Sequence, residues 1–171
     1  MRTRIISAFP GVGKSYTHKL HPDTTLDSDS TKFSWKTGPQ NKVRDPDFPN
    51  NYIKHIKENI GKYEFIFVSS HKIVRDALLD NCLFFYLVYP DPCDSNLKDK
   101  FIQRYKERGS NDSFIKLVDE NWDAWLKECE CCFIGCKRIK LTLAVTGNPT
   151  DLGLRNLTNN LEDILPLLDK D

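Results

Sequence analysis

An α/β fold, a five-stranded and mostly parallel sheet with helices on both faces, is predicted by three features of this 171-residue sequence. Strand-like and helix-like segments alternate, which implies crossover connections between parallel neighbours. Two apolar runs, Phe65-Ile66-Phe67-Val68 and Leu83-Phe84-Phe85-Tyr86-Leu87-Val88-Tyr89, contain no charged residue, as strands buried on both faces require. Hydrophobic residues make up 39% and charged residues 29%, a balance in which burial can offset chain entropy. The length suits a single domain, 1–171.

The elements follow in order. Arg4-Ile5-Ile6-Ser7-Ala8-Phe9 reads as a short buried strand stopped by Pro10-Gly11. Lys14 to Leu20 is a short helix ended by His21-Pro22-Asp23, and Thr24-Thr25-Leu26-Asp27 is a second, β-branched strand. Residues 28–51 turn polar and carry Pro39, Pro46 and Pro49; so long a loop in a compact domain points to function. Tyr52, Ile53, Ile56 and Ile60 recur at helical spacing, with Gly61 as a stop, before the third strand at Phe65. Val74, Ala77 and Leu78 mark a helix between the two apolar strands. A basic helical segment spans 95–108, and Phe114, Leu117, Val118, Trp122, Trp125 and Leu126 form a further amphipathic helix. Arg138 to Leu143 alternates as a fifth strand nearer an edge, and a helix from Asn156 to Leu168 closes the chain.

Charge and cysteine content exclude several classes. Lys and Arg total 25 against 24 for Asp and Glu, a formal charge of +1, which argues against a surface devoted to nucleic acid but permits a local basic site. No apolar run approaches the roughly 20 residues of a membrane span, and the basic N-terminus breaks at Pro10-Gly11, too early for a secretory signal. A soluble cytoplasmic protein without membrane contact, monomeric or homodimeric, is expected. Four of the six cysteines crowd into Cys129, Cys131, Cys132 and Cys136. Their spacing lacks the paired knuckles of a structural zinc site, so reduced thiols at a helix end are the expectation.

The strongest chemical signal is Ala8-Phe9-Pro10-Gly11-Val12-Gly13-Lys14-Ser15, set between a strand and a helix. Gly11 and Gly13 let the loop Pro10–Tyr16 turn the N–H groups that follow Pro10 inward around a phosphate, with the helix start adding positive potential. Lys14 is placed to reach the outer phosphates of a nucleoside triphosphate, and the Ser15 hydroxyl to meet Mg²⁺. Ala8 stands where the strict pattern has a glycine.

With this loop the chain resembles small P-loop kinases of the nucleoside monophosphate kinase superfamily, and in detail bacteriophage-encoded members. The resemblance implies the strand order 2-3-1-4-5, a three-layer α/β/α sandwich, ATP with Mg²⁺, and a mobile lid. For a phage-encoded chain it implies the host cytoplasm. It also implies an acceptor-binding insertion over about 28–51 and a lid over about 94–113. The loop after the fifth strand, including Thr146 and Gly147, matches the position where relatives hold the donor adenine.

Asp27-Ser28-Asp29 follows the second strand, so both carboxylates should face the phosphate loop. Asp27 could hold Mg²⁺ with Ser15, and Asp29 could orient or deprotonate an acceptor hydroxyl. The pair is similar to that of hydroxyl kinases such as shikimate kinase; a turn or helix cap is the structural alternative. The third strand runs into Ser69-Ser70-His71, where many relatives carry an acid, so Ser70 and His71 are candidates to bind substrate. Beside them, Lys72 and Arg75 read as solvated. Phe33 and Trp35 lie in the polar segment outside any core periodicity, as candidates to stack on a substrate base. Trp122 and Trp125 recur at helical spacing and read as core or partial core rather than a base-stacking platform.

Lys100, Arg104 and Arg108 recur at i, i+4 and i+8, which lines three cations on one helical stripe, with Phe101 and Tyr105 as anchors and Gly109-Ser110 as the end. The resemblance implies that Arg104 and Arg108 close over the transferring phosphoryl group. Together with Lys14, Asp27 and Asp29 they form the expected catalytic set. The leading expectation is an ATP-dependent phosphotransferase acting on a nucleoside monophosphate. A hydroxyl acceptor is the alternative, such as 5-hydroxymethyluracil in DNA or a polynucleotide end; a nucleotide-binding regulator without turnover is the third reading.

Overall fold

The computed structural model describes residues 1–36, 43–142, 154–156 (as backbone) and 161–168. The apolar run near the N-terminus becomes the central strand, β1 (Arg4–Ala8). It pairs in parallel with β3 (Phe65–Ser69) on one side and β4 (Phe85–Pro90) on the other. Strand β2 (Thr25–Asp27) lies outside β3, and β5 (Cys136–Leu141) outside β4. The five strands are all parallel and run in the order 2-3-1-4-5, consistent with a three-layer α/β/α arrangement. Every residue of β4 and four of the five in β3 are buried, as their unbroken apolar runs require.

A sixth strand, β6 (Leu154–Asn156), pairs in parallel with β5, one strand more than the sequence predicts. Three residues place at most two side chains on a face, too few to register as alternation. The closing helix expected from Asn156 is accordingly corrected. Asn156 belongs to β6; a 3₁₀ turn (Glu162–Ile164) leads into the one-turn helix α7 (Leu165–Leu168). Leu161, Ile164, Leu165 and Leu168 are all buried, so the apolar face is real although the continuous helix is not. Pro166 fits the first turn of α7, where its missing N–H deprives no carbonyl of a partner.

The remaining helices are α1 (Lys14–Leu20), α2 (Thr31–Ser34), α3 (Asn50–Asn59), α4 (Lys72–Asp80), α5 (Leu97–Glu107) and α6 (Asp112–Glu130). Asn111 caps α6 by accepting the Phe114 N–H at 2.7 Å, and the helix buries Val118, Trp122, Leu126 and Cys129 on one side. α5 buries Leu97, Phe101 and Tyr105 at fourfold spacing. Phe9, at the end of β1, holds these helices to the sheet edge-on: its ring lies 5.4 Å from Trp122 and 6.3 Å from Phe101. Among the described residues no helix is long and apolar enough to cross a membrane.

Candidate functional site at the carboxyl ends of the strands

The parallel register brings the ends of β1, β2 and β3 together: Ala8 lies opposite Ser69, and Asp27 opposite Phe67. The turn after β1 relies on two glycines with positive φ, Gly11 at 85° and Gly13 at 105°. Space matters at Gly11 as well as φ, since a Cβ there would sit 2.7 Å from Tyr105 Cε1. Lys14 folds back to donate to the Ala8 carbonyl at 2.7 Å. Burial, helped by the Arg108 charge and opposed by Asp27 and Asp29, lowers its ammonium to a pKa of about 8.

Ser15 and Asp27, the two residues expected to share Mg²⁺, are brought into contact: the Ser15 hydroxyl donates to Asp27 Oδ2 at 2.6 Å. A hydroxyl and a carboxylate converging beside a phosphate-shaped turn suit a hard cation that keeps water and phosphate oxygens among its ligands. Asp29 is exposed and accepts the Thr31 N–H at 2.9 Å, so it also shapes the turn into α2. Between them, the Ser28 carbonyl accepts the buried Tyr52 hydroxyl at 2.6 Å, fixing the end of β2 against α3. The sequence gives no sign of this tether, because Tyr52 reads simply as a core residue of α3.

The basic helix α5 is fastened to the phosphate loop by two adjacent side chains. Tyr105 donates its hydroxyl to the Pro10 carbonyl at 2.7 Å, and Arg104 donates to the Gly11 carbonyl at 2.9 Å. Arg108 follows the last turn of α5, lies over the rings of Tyr105 and Phe114, and donates to Ser110 Oγ at 2.7 Å. Arg104 and Arg108 therefore both flank the loop, in a segment whose apolar face is fully buried.

A cavity of about 380 Å³ opens beside the loop, walled by Pro10, Ser70, His71 and Trp125, with Arg44 and Phe48 reaching in from the β2–β3 segment. Ser70 and His71 thus lie where a substrate site was expected. His71 meets the Trp125 ring edge-on at 5.9 Å. Burial first, then Lys14, Arg44 and Arg75, lower its pKa, against Glu128. Arg75 is not solvated as expected: it is 4% exposed, donates from Nε to the Ser70 carbonyl at 2.9 Å, and pairs with Glu128 at 3.4 Å. Its neighbour Lys72 does face solvent and pairs with Asp76 at 2.6 Å.

The two aromatic candidates separate. Phe33 packs against Tyr52 and His55, at 5.1 and 4.8 Å, and belongs to the wall that α2 shares with α3. Trp35 is half-buried, bridges antiparallel to Arg44 and carries that guanidinium 4.3 Å above its ring, which ties it to the rim of the cavity. Thr146 and Gly147 lie outside the described residues. Among those described, no three His, Cys, Asp or Glu side chains form a metal cluster, the grouped cysteines included.

Trp125, read as core or partial core, packs partly buried against the core as well as lining the cavity, whereas sequence reasoning missed Arg44, Phe48 and Glu128 as cavity residues. Their positions, far apart along the chain, carry no common pattern that would signal one wall. No protein-family model matches the chain, and no curated protein matches it.

Proposed function

We propose that this chain is an ATP-dependent phosphotransferase whose acceptor is a nucleoside monophosphate. One observation carries the reading: the Ser15–Asp27 hydrogen bond joins the phosphate loop to the acid at the end of β2, beside a cavity with basic and aromatic walls. In this reading the amides around Gly11 and Gly13 cradle the phosphates of ATP, and Lys14 leaves the Ala8 carbonyl to meet them. Ser15 and Asp27 would hold Mg²⁺, which supplies charge neutralisation at the phosphates. Half-buried Arg104 and exposed Arg108 would present planar donors to the phosphoryl oxygens.

Acceptor binding falls to the cavity. Its volume, about 380 Å³, is within the range of small-ligand sites. Arg44 supplies charge for an acceptor phosphate, Trp125 and Phe48 supply apolar faces for a base, and Ser70 supplies hydrogen bonds. A second reading, a hydroxyl acceptor on a modified base or polynucleotide end, draws support from His71. An imidazole with lowered pKa is neutral at pH 7 and can accept a hydroxyl proton.

The test is transfer of radiolabel from ATP to nucleoside monophosphates, nucleosides and hydroxymethylated DNA, separated by chromatography. Label in nucleoside diphosphate is the expected result. Label confined to nucleosides or DNA would replace the leading reading by the second, and label in no product would overturn both.

A further inference from the structure

The turn between α6 and β5 holds two thiols, Cys132 and Cys136, that the proposed reaction does not use. We propose that Cys132 and Cys136 form a reversible dithiol–disulfide site, with Cys132 as the attacking thiol and a peroxide as its oxidant. This inference does not depend on the phosphotransferase reading.

Their geometry sets them apart from the other four cysteines. The two Sγ atoms lie 3.5 Å apart, with the Cys136 S–H directed at Cys132 Sγ and also at the Cys132 carbonyl, 3.4 Å away. A bond of about 2.05 Å therefore requires only a small side-chain movement within one turn. Gly135, with φ of +70°, lets the chain reverse so tightly that residue 136 returns onto residue 132. The Arg75 guanidinium, itself buried, lies near enough for its charge to favour the Cys132 thiolate. The Cys136 S–H and the Arg75 charge thus both favour a thiolate at Cys132.

The rest of the cluster is excluded on chemical grounds. Cys129 is buried in α6, and that burial pushes its thiol up to about 12, leaving it protonated and inert. Cys82, Cys93 and Cys131 are exposed. Cys132 is pulled down first by its hydrogen bond from Cys136, against burial and with help from the Arg75 charge, whereas Cys136, the donor of the pair, is pushed up. The donor–acceptor geometry of the pair assigns the attack to Cys132 and the resolving step to Cys136.

The steps balance. The Cys132 thiolate attacks one peroxide oxygen, the O–O bond breaks, and hydroxide leaves to be protonated to water, with Cys132 now a sulfenic acid. Cys136 then attacks the Cys132 sulfur, the S–O bond breaks, and a second water departs using the Cys136 proton. Two thiols lose two electrons to one peroxide, and an added dithiol reverses the change. The site adjoins the cavity through Arg75, which also holds the Ser70 carbonyl and Glu128.

The experiment treats the full chain with hydrogen peroxide, blocks residual thiols with iodoacetamide, and maps the products by fragment mass. The expected product is an intramolecular Cys132–Cys136 link, about 2 Da lighter and reversed by dithiothreitol. It should form roughly 10-fold faster than the Cys82, Cys93 or Cys131 thiols are lost. In Cys136→Ser, dimedone should trap a sulfenic acid at Cys132; in Cys132→Ser the fast step should vanish. Loss of the exposed thiols first or at the same rate, a link through Cys131, or no link at all would overturn the proposal. Mapping of the unsubstituted chain decides this even if a variant does not fold.

Discussion

At Lys14, burial and local charge pull in opposite directions. Removing an ammonium from water favours its neutral form, and Arg108 adds to that, while Asp27 and Asp29 favour the charged form; burial wins, and the pKa falls to about 8. Triphosphate oxygens would reverse the balance. Above about pH 8 the free protein carries Lys14 partly neutral, and a bound polyanion restores the charge, so ATP binding should take up a proton. Calorimetry in buffers of different ionisation enthalpy at about pH 9 should show an uptake that is absent at about pH 6.5 and absent in Lys14→Arg at either pH. The same shift sets the sign for stability. Between about pH 8 and the usual lysine range the unfolded chain binds the extra proton, so the Lys14 contribution to folding improves as pH rises. Asp27 makes a different test. Asp27→Asn keeps the shape and a Ser15 contact but removes the charge, so turnover should fall by about 10²-fold or more while ATP affinity changes little. Equal losses in both would make Asp27 a binding residue only. The contact of Ser15 with Asp27 was legible in the sequence because the Gly11–Ser15 spacing fixes the local turn, and the register of β2 on β3 then delivers Asp27.

Helix α5 shows how an element can be read correctly and still hold a surprise. Its length and its glycine stop follow from local periodicity and the structure keeps both, with Lys100 and Arg104 on the helix and Arg108 just past its end. Its attachment to the loop is a tertiary fact: Tyr105 and Arg104 reach carbonyls some 95 and 93 residues earlier in the chain. Two predictions belong here. Gly11→Ala combines an unfavourable φ of +85° with a Cβ 2.7 Å from a fully buried tyrosine ring, so melting should show a loss of about 1–3 kcal/mol together with weakened ATP binding. Arg108→Lys leaves the fastening intact but replaces a planar fork by a point charge. Turnover at saturating ATP should drop by about 10²-fold with the melting temperature unchanged, whereas a merely solvated arginine would leave the rate near normal. Elements at the other extreme of length were not legible. Three-residue β6 and one-turn α7 are fixed by what they dock against, and Asn156, placed by periodicity in a helix, ends in a strand.

Across the whole molecule, a parallel sheet gathers the ends of its strands on one side, and ligand sites in such sheets form in the crevice outside those ends. Here that rule unites three stretches that no local pattern connects: Arg44 and Phe48 before α3, Ser70 and His71 after β3, and Trp125 and Glu128 in α6. The fold order followed from alternation and a recognisable loop, but the cavity exists only once the chain has closed, which is why Trp125 showed only its core side in the sequence and Arg75 was misread as solvated. The same separation makes the two substrates experimentally divisible. In the proposed function ATP would depend on the loop and α5, and the acceptor on the cavity, so a substitution deep in the cavity should move one constant and not the other. Trp125→Leu keeps an apolar side chain against Phe9, whose ring is 6.4 Å away, yet removes the flat face beside His71. If a base stacks there, the acceptor KM should rise by about 10-fold or more, since such stacking contributes about 1–3 kcal/mol per base, while the ATP KM stays within about twofold. Arg44→Ala should raise the same constant through charge, and raising ionic strength should mimic Arg44→Ala but not Trp125→Leu, because screening weakens an exposed cation and leaves an apolar contact in place. Acceptor constants unchanged in both variants would remove the acceptor from this cavity and leave the loop, Asp27 and α5 as the nucleotide half of a site whose other half lies elsewhere.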